Sequence, residues 1–260
     1  MKLKLQKIYL WLIFAILYLP IFYLMFYSFN AQGTMQKFDV FTLEYYQVLF
    51  ADKRLLQITL QTFFLAFLSA LLSTIIGVFG ALSLLHMKKK YRQTLLQLNN
   101  ILLVSPDIVI GISFLILFTF LGLKLGFVSV LLAHIAFSIP IVVIMMLPAV
   151  NKIKSSLIDA AYDLGANSMQ VLWKIILPNL TSSIIVAYFM AFTYSLDDFA
   201  VTFFVTGNGF QTLAIDIYSR ARQGIQLEIN ALSTLLFLFS VVLVFVYYWI
   251  SKDKDEVMTY

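Results

Sequence analysis

Long apolar runs separated by short polar segments set the pattern of this chain. Ile8–Phe29, Ile58–His86, Leu98–Leu121, Phe127–Pro148, Leu180–Val205 and Asn230–Ile250 each reach the ~20 residues an α-helix needs to cross a bilayer. The pattern predicts an all-α, polytopic membrane protein with six transmembrane helices in one domain, residues 1–260. The first run follows Lys2, Lys4 and Lys7. It is longer than the apolar core of a signal peptide and no small-residue cleavage site follows, so it reads as an uncleaved span. Ile58–His86 is longer than a bilayer requires and is expected to tilt or project. Asn30–Gln57 is polar, with Leu43, Tyr45, Tyr46, Val48, Leu49 and Phe50 marking a short surface helix. Gly122–Gly126 reads as a tight turn, Pro140 as a kink, Thr206–Ile229 as a loop with a turn at Gly207–Gly209, and Ser251–Tyr260 as a charged tail.

The segment Asn151–Pro178 breaks the apolar pattern. It mixes Lys152, Lys154, Asp159, Asp163 and Lys174 with Ile153, Leu157, Ala161 and Leu164 at helical intervals, which predicts a short amphipathic helix. Gly165 can take the left-handed conformation that ends such a helix. Asn167 followed by Gln170 reads as a capping pair that opens a second helix, and Pro178 marks its end or the entry to the next. The result is a helix-turn-helix elbow outside the bilayer, or on composition alone an ordinary cytoplasmic loop.

The spacing makes the segment more specific. Asp159-Ala160-Ala161, three residues, Gly165, nine residues, then Ile175-Ile176-Leu177-Pro178 resembles the EAA loop of ABC importer permeases of the type I, MetI-like fold. The family pattern has Glu where Asp159 stands, so the charge is kept and the reach is shorter. The resemblance implies that Asp159, Ala160, Ala161, Gly165, Leu177 and Pro178 belong to a coupling helix. In the family that helix docks into a groove on a separate ATP-hydrolysing subunit.

Composition and charge narrow the class. The chain is 62% hydrophobic and only 12% charged, with a mean hydropathy of +0.92, whereas a soluble domain carries roughly a quarter charged residues. Cysteine is absent, which removes disulfides, thiolate catalysis and Cys-based metal sites. His86 and His134 are the only histidines and fall on different spans, so they read as packing or hydrogen-bonding groups and not as a metal pair. A cytoplasmic start places twelve Lys and Arg on inner segments and six on outer ones. That bias follows the positive-inside rule, with both termini and the elbow in the cytoplasm. The net charge of +5 is explained by orientation, and the cluster Lys88–Arg92 by anchoring at the inner surface, without a nucleic-acid partner. Trp11 and Trp249 read as interfacial anchors, and Tyr18, Tyr23 and Tyr27 as packing or lipid contacts.

Carboxylates inside apolar runs are the candidate chemistry, because ionisable groups at membrane depth cost a few kcal/mol and usually face a cavity or pathway. Asp107 follows Pro106, and Asp197 and Asp198 stand side by side in Ser195–Phe199. Adjacent helical residues point about 100° apart, so both aspartates reach one cavity only across a local break. Otherwise one lines the pathway while the other pairs with a polar neighbour or another subunit. Asp198 is expected to matter more than Asp107, which a helix start at Pro106 can leave solvated. Negative charge on a path favours a cationic substrate, and Tyr194 and Phe199 can add cation–π contacts to an ammonium group.

Together, Ser105–Val109 with Asp107, Ser195–Phe199 and the elbow resemble the permease subunits of spermidine/putrescine importers along most of the chain. The resemblance implies a bacterial inner-membrane permease that pairs with a homologous permease, two ATP-binding cassette subunits and an extracytoplasmic polyamine-binding protein, in contact with membrane lipid. No cofactor, metal or catalytic residue is expected. No Gly-x-x-x-x-Gly-Lys-Ser/Thr loop is present, so ATP hydrolysis falls to the partner. Related permeases move iron, thiamine, sulfate and other solutes on the same fold. The competing class is a self-sufficient carrier that couples transport to protons or cations through Asp107 and Asp198.

Overall fold

A computed structural model describes residues 2–32, 35, 37–223 and 227–257, apart from the side chains of a few helical positions near the two ends. Helices dominate, and among the described residues the only extended pairing is an isolated bridge between Asn30 and Phe41. The chain divides into two compact units. One comprises Met1–Gln57 with Asp216–Tyr260, the other Ile58–Ile215.

In the first unit, α1 (Lys2–Tyr27) packs against α12 (Leu227–Val257). Tyr18 and Phe22 set their rings edge-on to Phe237 at 6.3 and 6.4 Å. The predicted surface helix is present as α2 (Glu44–Ala51) and also meets α12. Asn30 is fully buried because its amide works on both sides of the turn: it donates to Lys37 O and accepts from Asp39 N. The segment expected as the loop Thr206–Ile229 instead contains α11 (Leu213–Gln223). Arg220 on α11 is a hub: it donates to Asp216 at 2.7 Å and Asp52 at 3.0 Å, with Glu228 at 3.6 Å. The Leu55 backbone N–H and the Arg220 guanidinium hold the Asp52 carboxyl below the usual carboxylate range. Trp11 is exposed as an anchor would be, whereas the side chain of Trp249 lies outside the described residues. The helix of α12 continues to Val257 through most of the segment expected as a tail.

The second unit is built on α3 (Lys53–Leu85), α6 (Phe127–Asn151) and α9 (Leu177–Asp197). Its core joins Leu65, Ile110, Phe118, Val130, Ala133, Phe137, Val201 and Val205. Helix α6 runs unbroken through Pro140 and Pro148. The expected third span does not form as one helix. It is α4 (Lys89–Val104) and α5 (Asp107–Phe120), bent by 105° at Ser105–Pro106. Proline removes an N–H and drives the preceding residue out of the α region, and Ser105 is accordingly extended, with ψ of 140°. The 14 residues of α5 reach about 21 Å at 1.5 Å per residue, short of the ~30 Å hydrocarbon core. The expected fifth span also breaks, after α9, and resumes as α10 (Ala200–Val205). Helix α10 lies against α5, where a Cβ on Gly111 would sit 2.7 Å from the Phe204 ring and 3.1 Å from Val201 Cα; only glycine permits that approach.

The described residues hold four helices long and apolar enough to cross a membrane, or five if α4 and α5 count as one broken span. Within α12 the described apolar part is Glu228–Val242. The chain is therefore a multi-pass membrane protein.

Candidate functional site

The break between α9 and α10 organises the polar groups of the second unit. Asp198 is extended, with ψ of 120°, and its carboxylate accepts from the N–H groups of Val201 at 3.3 Å and Thr202 at 2.8 Å. These donors lack helical partners at a helix start, and a short acidic side chain satisfies them. The Thr202 hydroxyl also donates to Asp198 at 2.7 Å, and His134 Nε2 stands 3.5 Å away. His134 is wholly buried on α6; its ring bonds Ser195 at 2.6 Å through Nδ1 and Thr202 at 2.8 Å through Nε2. Ser195 in turn bonds Ser69 on α3 at 2.8 Å. A buried polar chain thus runs from Ser69 through Ser195, His134 and Thr202 to Asp198, tying α3, α9, α6 and α10 together.

The other carboxylates point elsewhere. Asp107, the first residue of α5, is exposed and accepts from the Tyr194 hydroxyl at 3.3 Å. The Tyr194 ring stands edge-on to Phe137 at 5.0 Å, which fixes its direction. Asp197 is exposed, one residue from inward-facing Asp198. The break separates the adjacent aspartates: Asp198 pairs with polar neighbours while Asp197 remains open. Phe199, half-buried beside them, packs on Phe203 at 5.5 Å. The structure thus brings Asp107 and Tyr194 together across two helices, leaves Asp197 exposed at the end of α9, and turns Asp198 inward with Phe199 half-buried after it. Ser69, Ser195 and Thr202 went unmarked in the sequence, although small hydroxyl residues inside apolar runs signal interhelical hydrogen bonds.

The elbow forms from its local sequence. Helix α7 (Ser155–Asp163) ends at Gly165, whose φ of +84° is left-handed. The Gly165 N–H reaches Tyr162 O at 2.9 Å and the Ala166 N–H reaches Ala161 O at 3.0 Å, the paired bonds of a Schellman cap. Helix α8 (Ser168–Val171) opens with the expected box, Asn167 and Gln170 each bonding the other's backbone N–H at 2.9 Å. The second helix does not stop at Pro178. It passes through a π turn at Leu172–Ile176 straight into α9, whose first turn contains Pro178. Ala161 is buried, whereas Asp159, Ala160, Leu157, Tyr162, Leu164, Met169 and Trp173 are exposed.

Comparison with known proteins agrees with this architecture. Residues 73–253 match the family described as binding-protein-dependent transport system inner membrane component. The spermidine/putrescine transport system permease protein PotC of Haemophilus influenzae is 34% identical, over 97% of this chain and 98% of its own. PotC of Escherichia coli K12 is 36% identical over 94% of this chain and 92% of its own. A crystal structure of a bacterial alginate ABC transporter in complex with alginate pentasaccharide-bound periplasmic protein superposes with a TM-score of 0.71. That match is 18% identical and covers 97% of this chain and 93% of that one; it is a likeness of fold.

Proposed function

The chain belongs to the binding-protein-dependent transport system inner membrane components, and from that premise we propose that it is one of two permeases in an ATP-driven polyamine importer. Proteins of this family are transport components, not enzymes. The observation that carries the substrate class is the exposure of two carboxylates at the ends of apolar helices, Asp107 bonded by Tyr194 and Asp197 at the end of α9. A polycation crossing there meets fixed negative charge in low dielectric, while an anion is repelled. Tyr194 and Phe199 offer ring faces to its ammonium groups. The names of the PotC relatives agree in substrate.

In this reading the chain crosses the inner membrane six times, counting α4 with α5 and α9 with α10 as broken spans, and both termini are cytoplasmic. Asp159, Ala160, Ala161, Gly165, Leu177 and Pro178 belong to the elbow that meets the ATPase, and the exposed side chains of Leu157, Tyr162 and Leu164 are its contact face. A second, homologous permease completes the pathway. Two ATP-binding cassette subunits drive it, and an extracytoplasmic binding protein delivers the polyamine to the outer segments around Asn30–Gln57 and Thr206–Ile229. ATP closes the cassette pair, the elbow carries that motion into α9, and the cavity alternates its access.

The test is uptake of labelled spermidine into vesicles holding the permease pair, with and without ATP, the ATPase and the binding protein. Uptake is expected only with all components present. Uptake by this chain alone moves it to the carrier class, and transport of a different solute keeps the architecture and changes the substrate.

A further inference from the structure

A cavity lies in the Ile58–Ile215 unit, lined by none of the carboxylates of the candidate site. It is an open slot of about 510 Å³ lined by α3, α4 and α6, within the ~300–1,000 Å³ typical of small-molecule sites. Its wall on α4 is Leu95, Leu98 and Leu102, facing Leu84, Met87 and Val143. Those α4 positions lie three and seven residues apart and so form one helix face. None of α4 is buried. This helix rests beside α6 through few polar ties: Asn99 donates to Pro140 O at 3.3 Å and Arg92 donates to Asn151 at 3.1 Å.

Charge is gathered at one end of this cavity by chain connectivity. The lining stops at Met87 on one side and Leu95 on the other, and the connecting residues include Lys88, Lys89, Lys90 and Arg92. Lys88, Lys89 and Lys90 are exposed. Lys152 and Lys154 follow Asn151, the residue that Arg92 reaches. No Asp or Glu occurs between His86 and Pro106, so nothing in that stretch neutralises the cluster. An apolar slot whose two walls are joined by a run of basic residues matches one kind of molecule in a membrane, an amphiphile with an anionic head. Juxtamembrane basic clusters and basic pockets between helices recognise such heads.

We infer that the α3–α4–α6 cavity is a binding site for an anionic phospholipid. One acyl chain lies against Leu95, Leu98 and Leu102, and the phosphate is held by Lys88, Lys89 and Lys90. The bound lipid fills the space that leaves α4 without a buried side chain and so steadies it against α6.

The test uses the assembled transporter, purified from a phosphatidylglycerol-containing membrane and examined by native mass spectrometry for retained lipid. Wild type is expected to retain phosphatidylglycerol in preference to phosphatidylcholine. Lys88→Gln with Lys89→Gln and Lys90→Gln weakens that retention by at least about tenfold, in line with the contribution of each basic residue near a lipid surface. Gly80→Leu probes the slot without touching charge: a Cβ there meets Val143 Cγ2 at an ordinary 3.6 Å, so the longer side chain enters the cavity and displaces the chain. Retention at the wild-type level in either variant overturns the proposal, as does equal retention of the two lipids by wild type. Because the chain has no cysteine of its own, Leu98→Cys gives an unambiguous cross-link. A product joining it to another subunit means that protein covers the cavity, which also overturns the lipid site.

Discussion

Asp198 and Asp197 show how much one broken turn can separate neighbouring residues. Asp198 satisfies three donors at the start of α10, whereas Asp197 remains exposed. Their substitutions should therefore fail in different ways. Asp197→Asn and Asp107→Asn are expected to leave the amount of permease in the membrane unchanged and to slow polyamine uptake per molecule. Asp198→Ala strands the N–H groups of Val201 and Thr202 and leaves the Thr202 hydroxyl to His134 alone; at about 1–3 kcal/mol for each unsatisfied group, it lowers the thermal midpoint of the purified complex. Uptake normalised to permease level, set beside that midpoint, separates the two effects. Wild-type uptake in both Asn variants ends the charged-pathway reading. The sequence alone marked all three aspartates, because a carboxylate in an apolar run stands out. It ranked Asp198 above Asp107 for the pathway, but could not see that Asp198 turns inward: the ring beside it, His134, lies 61 residues before Ser195, and such pairings have no local signature.

At the scale of elements, local chemistry was legible wherever it was decided locally. The cap at Gly165 and the box at Asn167 and Gln170 appear where spacing puts them, because each involves residues within a few positions of one another. Gly165→Val is therefore a sharp test of the elbow. An L-residue in the left-handed region costs about 1–2 kcal/mol, too little to prevent insertion, yet relief of that strain redirects α7 relative to α8. Membrane levels should match wild type while ATP-driven uptake is lost, and normal uptake by this variant removes the elbow from the mechanism. The helix breaks and α11 were less legible. Pro106 gave a local reason for one break, but hydropathy counted straight across it. Helix α11 was hidden because its stability comes from distant partners: Thr62 accepts from Leu213 N and Asp52 accepts from Arg220. Tertiary contacts of that kind override a polar, loop-like composition.

For the whole molecule, class was written in bulk properties: mean hydropathy identified the membrane. The placement of Lys and Arg predicts which side each segment faces. Orientation has a direct check, since added cysteines are the only ones present. In intact cells Asn208→Cys should react with an impermeant maleimide, while Gln93→Cys should react only after the membrane is opened. Labelling in the reverse order inverts the topology and takes the elbow away from any ATPase. What bulk properties left out is how many helices cross unbroken. Hydropathy averages over a window and does not register a 105° bend or a single extended residue.

The π turn at Leu172–Ile176 has one more consequence. Such a turn holds one residue beyond the α count, and each residue of helix is about 100° of rotation. The surface that the elbow presents is therefore set in rotational phase with α9 by the number of residues between Gly165 and Pro178, more than by their kind. A protein under that constraint can vary its side chains widely along this stretch while the length of the stretch stays fixed.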